Sequence, residues 1–422
     1  MTSYEKYVTH LDGLLSGCEW GRKLFDEVTF HGALNGKAAA ALRDLVDLSE
    51  IKHYGAFFTG ELLAKKAVSA AAHSCIDQPV CDPACGAGDL LLRWVEFFPV
   101  SDSLEETISS WESRIFGYDI HPEFIKVTKR RLALSAIARG AKLDRGKIKI
   151  DERFPGIVEA NFLKSALPTN KGTIVVNPPY NQINQQDSVT WGKGKISQAA
   201  IFLARCVEKG AIGQRVVAVL PDVLRSGSRY EKWRDWMNSS LEVISLKSAG
   251  RFSRHADIDV FLLDGIIQRN PKRRIPWTPS KQAASKVLES ICEICVGSVV
   301  PHRDPQRGHW VSYFTTKDLA PWEKIDKGKK RRVMSSTVTP PFVAVRRTSS
   351  PSDKERPVAS IVDCDGPVAL ENHLIALKPK DGRLVTCNQI MELLRTNRTR
   401  AFLDQGIRCR HLTVSILKKV PI

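Results

Sequence analysis

Long apolar runs are missing from this sequence of 422 residues. The longest falls far short of the roughly 18 residues that a membrane-crossing helix needs, so no membrane partner is expected. No basic segment followed by an apolar one starts at Met1, which predicts a chain that stays in the cytoplasm. Ten cysteines are present, but without the regular spacing of a disulfide framework, as expected of reduced thiols. Cys292-Glu293-Ile294-Cys295 is the only C-x-x-C pair. It lies in a stretch that reads as helical, with no second pair at metal-finger spacing, so core packing is expected there and no metal site. A phosphate-cradling G-x-x-x-x-G-K-[ST] loop is also missing.

Acidic residues are scarce in one half only. Residues 1–270 hold 35 Lys and Arg against 32 Asp and Glu, an excess of +3; residues 271–422 hold 28 against 14, an excess of +14. So segregated an imbalance points to a polyanion partner for the second stretch. Asn270-Pro271-Lys272-Arg273-Arg274-Ile275-Pro276 breaks the periodicity between the two and is read as a domain boundary. Three parts result: helices over residues 1–48, a catalytic domain over 49–270 and a basic α+β domain over 277–422. Residues 1–48 are too short for a nuclease domain, so any cleavage partner is expected to be a separate polypeptide.

Strands and helices alternate through the middle part, a parallel-sheet signature. Strands are predicted at 80–82, 115–119, 147–150, 173–176, 215–220, 242–248 and 259–267. Helices are predicted at 90–98, 122–138, 198–209 and 229–238. The polar stretch Asn181 to Lys195 reads as a loop over the pocket, or as a plain solvent loop. Lys327 to Arg332 reads as a basic loop, either solvated or touching phosphates.

The most informative residues are Asn177-Pro178-Pro179-Tyr180, at the end of the apolar run Thr173-Ile174-Val175-Val176. Such a strand end suits the holding of a planar, weakly nucleophilic NH2 group. The asparagine oxygen accepts one N–H and the Pro178 carbonyl the other, while the tyrosine offers a stacking face. Two prolines stiffen the loop. Upstream, Asp82-Pro83-Ala84-Cys85-Gly86-Ala87-Gly88 joins a short strand to a helix, and glycines 86 and 88 let backbone approach a ligand closely. Asp119 ends the next strand. There it can accept hydrogen bonds from both ribose hydroxyls of a nucleoside, or cap the helix that opens at His121-Pro122.

These pieces in this order resemble the class I S-adenosylmethionine-dependent methyltransferases, specifically the N6-adenine DNA methyltransferases of restriction–modification systems. Gly55-Ala56-Phe57-Phe58-Thr59 is similar to the family's pre-motif, with Gly60 where proline is usual. Asn161-Phe162 stands where the family carries Asp-Phe. The motif order is that of the γ group, whose target-recognition domain is C-terminal, and Arg408 to Pro421 loosely resembles the close of such a domain.

The resemblance implies a Rossmann-like, mostly parallel seven-stranded α/β sheet with helices on both faces, plus a C-terminal α+β target-recognition domain. It implies cofactor contacts from Phe58, Thr59, Asp82, Ala84, Cys85, Gly86, Gly88, Asp119, Ile120, Asn161, Phe162 and Asn177. The base would be held by Asn177, Pro178, Pro179 and Tyr180, with Phe252 on its second face or else merely in the core. The implied reaction is methyl transfer from S-adenosylmethionine to N6 of an adenine flipped out of a specific duplex DNA sequence. Two alternatives use the same residues: methylation of a protein glutamine or rRNA base, and a DNA-binding subunit with a decayed site.

Overall fold

A computed structural model describes every residue except 1, 19–25, 144–148, 166–171, 186–188, 193, 254–255, 257, 278–285, 349–355 and 407–411. The chain forms two compact units, Met1–Ile275 and Pro276–Ile422.

The first unit is built on seven strands: β1 (Val80–Asp82), β2 (Ile115–Asp119), β3 (Ile157–Glu159), β4 (Thr173–Val176), β5 (Arg215–Pro221), β6 (Leu241–Arg251) and β7 (Asp259–Ile267). Their order across the sheet is β3-β2-β1-β4-β5-β7-β6. Strand β7 runs antiparallel to both its neighbours, while the pairings from β3 to β5 are parallel. All four residues of β4 are buried, which is why it reads as an unbroken apolar run rather than an alternating one. This is the mostly parallel seven-stranded α/β sheet that the motifs implied.

One strand differs from the sequence reading. Lys147–Ile150 alternates like a strand, but Ile150 instead opens a short 3-10 turn with Asp151 and Glu152, and residues 144–148 lie outside the described ones. Strand β3 forms seven residues later. Gly156, just before it, sits so close to β2 that a Cβ would come within 2.6 Å of the Ile115 carbonyl. Only glycine allows that approach, and it puts Ile157, not Ile150, in register with Gly117.

The helices that matter for the site are α1 (Glu5–Ser16), α2 (Glu27–Leu34), α3 (Lys37–Leu45), α4 (Leu48–Tyr54), α5 (Glu61–Ser74), α6 (Asp89–Val95), α7 (Leu104–Glu112), α8 (Pro122–Ala138) and α9 (Gln198–Lys209). The first three share one hydrophobic core with the sheet, in which Tyr4, Leu11, Leu34 and Leu42 join Leu91 and Phe124. Charge ties them as well. Arg130 of α8 pairs with Asp12 and Asp151, each at 2.7 Å, and Lys126 pairs with Glu5 at 2.8 Å. Arg131, fully buried, donates to the Ala33 and Leu34 carbonyls of α2, to the Ala87 carbonyl and to the Asp89 carboxylate. Its charge is therefore paired and its N–H groups are satisfied, the condition for burying a guanidinium.

The stretch read as a loop from Asn181 to Lys195 carries a β-hairpin, Gln182–Gln185 pairing with Gly194–Ser197. Its polar composition hides an alternation in which Ile183 faces Ile196 across the ladder.

The second unit is α+β. Strands β8 (Cys292–Val296), β9 (His309–Phe314), β10 (Lys324–Ile325), β11 (Lys329–Val333), β12 (Phe342–Arg346), β13 (Ala359–Val362), β14 (Val368–Leu370) and β15 (Leu374–Pro379) form two sheets, β8-β15-β12-β13-β10 and β11-β9-β14. Helices Leu384–Arg395, Asn397–Gly406 and Val414–Lys418 complete it. Cys292 and Cys295 thus lie on a strand rather than a helix. Three residues apart on a strand, they point to opposite faces, with Cys292 buried and Cys295 exposed. Of the C-terminal segment likened to a target-recognition domain, residues 407–411 lie outside the described ones. After them Thr413 caps the last helix through the Ile416 amide.

Lys329 to Arg332 is also a strand and not a loop. It pairs antiparallel with β9, placing Trp310 opposite Arg332 and Ser312 opposite Lys330. The other face of this ribbon holds Val311, Tyr313 and Val333 in a small core, with the Arg331 guanidinium over the Tyr313 ring. Alternation therefore turns Trp310 and Arg332 outward; Trp310 stays 66% exposed and Met334, just past the end of β11, 80%. No helix among the described residues is long and apolar enough to cross a membrane.

Candidate active site

The carboxyl ends of β1, β2 and β4 open onto a pocket of about 830 Å³, its open mouth included. This is the edge at which open α/β sheets take ligands. The turn after β1 builds its floor. Asp82, buried, accepts the Ala84 amide at 3.0 Å, and burial pushes its carboxyl well above the usual carboxylate range. Gly86 and Gly88 have φ of +51° and +83°, a left-handed backbone in which a side chain would be strained. A Cβ on Gly86 would lie 3.0 Å from the Phe58 ring, and one on Gly88 2.9 Å from Thr128. Asp89 then fastens the loop to the pre-motif, accepting the Gly60 amide at 2.7 Å while pairing with Arg131 at 2.8 Å.

Asp119 stands beside this floor and is bonded to it. Its two oxygens accept the Gly86 and His121 amides, both at 3.0 Å. Burial outweighs these bonds and raises its pKa to about 6. The helix that follows has His121 as its N-cap residue, so Asp119 is set two positions before the capping one. Next to it are Ile120, half of whose surface is exposed, and Asn161, whose side chain accepts the Leu163 amide at 3.1 Å. Phe162 is buried, with the Phe202 ring 5.6 Å away.

Asn177 closes the far side. Its amide nitrogen donates to the Phe57 carbonyl at 3.2 Å and the Thr59 hydroxyl at 2.9 Å, and its side-chain oxygen accepts the Tyr180 hydroxyl at 2.7 Å. The Asn177 amide is thereby locked to the pre-motif, with nitrogen and oxygen each assigned by a partner. Tyr180 is half-buried, and its ring meets Phe252 edge-on, 5.6 Å between centroids and 78° between planes.

Phe58, Thr59, Asp82, Ala84, Cys85, Gly86, Asp119, Ile120, Asn161, Phe162, Asn177 and Pro179 all line the one pocket. Gly88 lies just behind it as the residue before α6, and Pro178 and Tyr180 are set beyond Asn177. Phe252 lines a second groove instead. Sequence reading missed His121, Phe124, Tyr54 and Gln198 in the wall. The first three form an aromatic cluster, with His121 to Tyr54 and to Phe124 at 4.6 and 4.9 Å between rings. No spacing rule would have found it, because Tyr54 comes from α4 and the other two from the start of α8.

Two observations fit a nucleoside cofactor here. The turn holding Gly86 and Gly88 presents bare backbone to the pocket at Gly86, and His121 presents a buried Nε2 with no partner among the described residues. The volume is that of a small-molecule site, and three carboxyl groups line it, Asp82, Asp89 and Asp119.

Residues 45–232 match the N-6 DNA methylase family. Among curated proteins, no sequence matches the chain. Among solved structures, it is similar to the type IIL restriction-modification enzyme MmeI in complex with DNA, at a TM-score of 0.57 and 12% identity over 94% of this chain and 71% of that one. It is also similar to the type IIG restriction endonuclease BpuSI, at 0.48 and 13% over 92% and 61%. A third is a type I restriction-modification methyltransferase subunit from Streptococcus thermophilus, at 0.36 and 14% over 65% and 66%. Other solved structures are spanned over as little as 29% and as much as 72% of their length. The segment that builds the pocket, residues 45–232, is thus the part of the chain that is similar to the N-6 DNA methylases.

Proposed function

We propose that the chain methylates N6 of one adenine within a specific duplex sequence, after rotating that base out of the stack, as the modification enzyme of a restriction–modification system. The observation that carries this is the lock between Asn177 and the Phe57–Thr59 segment. It puts an amide with a fixed oxygen acceptor at the wall of the cofactor pocket.

S-adenosylmethionine supplies an activated sulfonium methyl when bound. The chain's share is to bind and orient. Asp119 would take the ribose hydroxyls, the glycine turn would admit the cofactor against the backbone, and Thr59 would stand at its methionine end. Asn177 and the Pro178 carbonyl would hold the amine, whose proton leaves after the methyl arrives, so no strong base is needed first. Tyr180 and Phe252 would stack on the base. In the resting structure the Tyr180 hydroxyl covers the Asn177 oxygen and the two rings touch, so an entering base must displace that hydroxyl and part the rings. Unstacking a base costs a few kcal/mol, which binding to the rest of the duplex must offset.

The second unit is read as the target-recognition domain. The chain's net charge is segregated there, and the β9–β11 ribbon turns Trp310, Lys330 and Arg332 to solvent. Strand β14 pairs with β9 only at Ser312–Phe314, so at Trp310 and Arg332 the sheet is two strands wide, narrow enough for the major groove. A separate cognate endonuclease belongs to the same reading. Labelled cofactor offered with duplex DNA, with RNA and with a translation-factor peptide tests it. Label in duplex DNA at one short sequence, located by sequencing modified bases in cells expressing the chain, is the expected result. Label in the peptide or RNA alone would refute it.

A further inference from the structure

A second groove, of about 1340 Å³ and open to solvent, runs along the opposite side of the pre-motif from the cofactor pocket. The two cavities share Ala56, Phe57, Phe58 and Thr59 as a common wall. That wall is the segment to which the Asn177 amide is bonded. The groove ends on Phe252, whose ring touches Tyr180. Of the residues read as holding the base it reaches Phe252, while Asn177 and Pro179 line the cofactor pocket on the other side of the shared wall.

Its outer wall comes from the N-terminal helices. Leu48 of α4 and Leu62 of α5 are left 58% and 75% exposed on it, an uneconomical display for a surface that meets only water. Its rim carries Arg43 from α3, Lys66 from α5 and Arg251 from the end of β6. Arg43 and Lys66 are exposed. Among the described residues, the one carboxylate on the lining is Glu61, which lies 3.7 Å from Arg93. Apolar floor and cationic rim match an extrahelical strand, whose sugars and bases present apolar faces and whose phosphates are anionic.

We infer that this groove takes the target strand on either side of the flipped adenine, with Arg43 and Lys66 meeting phosphates and Leu48 and Leu62 under the sugars. The helices at the start of the chain are then part of the DNA-binding surface. The inference rests on the base-flipping reading for its occupant.

The test uses full-length protein with S-adenosylmethionine and a duplex bearing the mapped site, with 2-aminopurine in place of the target adenine. Removing one phosphate-neutralising cation lowers the slope of log affinity against log salt by about 0.9, so Arg43→Ala/Lys66→Ala should flatten it by about 1.8. Arg43→Lys should restore its share, and cofactor affinity should stay within about twofold of the parent because neither residue lines that pocket. A double variant with the parental slope and parental 2-aminopurine fluorescence would overturn the assignment. So would an unchanged slope with an altered oligomeric state, which would give the groove to a second copy. Failure of the parent protein itself to raise 2-aminopurine fluorescence would instead refute base flipping, and the salt slopes would still decide whether the groove binds DNA.

Discussion

The hydroxyl of Tyr180 donates to the side-chain oxygen of Asn177 at 2.7 Å, within one four-residue motif. The motif is thus hydrogen-bonded to itself at the atom that is to receive the amine. Tyr180→Phe removes that competitor and keeps the ring, so turnover should stay within about tenfold of the parent. Tyr180→Ala loses the stacking face, worth about 1–3 kcal/mol per base, and turnover should fall roughly 5- to 150-fold. Single-turnover methylation of a site-bearing duplex measures both. Equal losses for the two variants would mean that the hydroxyl, not the ring, is what matters.

Asn177→Ala removes the acceptor and should abolish turnover. Calorimetric affinity for S-adenosylmethionine should change by less than about threefold, since the missing bonds to Phe57 and Thr59 act only through the pocket wall. Near-normal methylation would return Asn177 to the part of a turn residue.

Asp119 gives a pH dependence with a definite sign. Its carboxyl is raised to about 6 by burial, and the ionised form is the better acceptor for two hydroxyls. Cofactor affinity should therefore be full above pH 7 and weaken as pH falls through about 6. Asp119→Asn should flatten that profile, and Asp119→Ala should weaken binding at pH 7.5 by at least about tenfold, the charge-assisted bonds being worth roughly 1.5–3 kcal/mol. A pH-independent affinity in the parent would refute the ribose assignment.

On the second unit, Lys330→Ala and Arg332→Ala lie on the exposed face of the ribbon, away from its small core. Each should lower DNA affinity in the full-length protein and, if it meets a phosphate, flatten the salt slope by about 0.9. A change in the methylated sequence, read by sequencing, would mark a base contact instead. Parental affinity, slope and sequence in both would remove the ribbon from the recognition surface.

Much of the first unit is legible in the sequence because its signals are local. Apolar runs bounded by Gly, Pro and Asp fix β1, β2, β4 and β7, and the site residues fall at their ends. What stays hidden depends on distant partners. Strand β3 is chosen by the fit of Gly156 against Ile115, and the hairpin after Tyr180 by pairing between residues a dozen positions apart. The aromatic wall of Tyr54, His121 and Phe124 joins two helices that the sequence separates widely. Lys329 to Arg332 reads like a loop because charge is a poor guide to a strand whose partner supplies the apolar face.

Arg131 is the most demanding residue to replace. Removing it would leave Asp89 buried without its cation and three helix- and loop-end carbonyls without donors, a change of about 3–5 kcal/mol in stability. Thermal unfolding of Arg131→Met should show it, with methylation lost only as the fold is lost.

That same guanidinium bears on inheritance. It fastens α2, the cofactor turn and, through Asp89 and the Gly60 amide, the pre-motif into one knot. A catalytic core cut out at residue 49 would carry half of that knot, with the other half left behind. The segment that can be moved between proteins without breaking this knot, by recombination or by design, is therefore residues 1–275 as a whole.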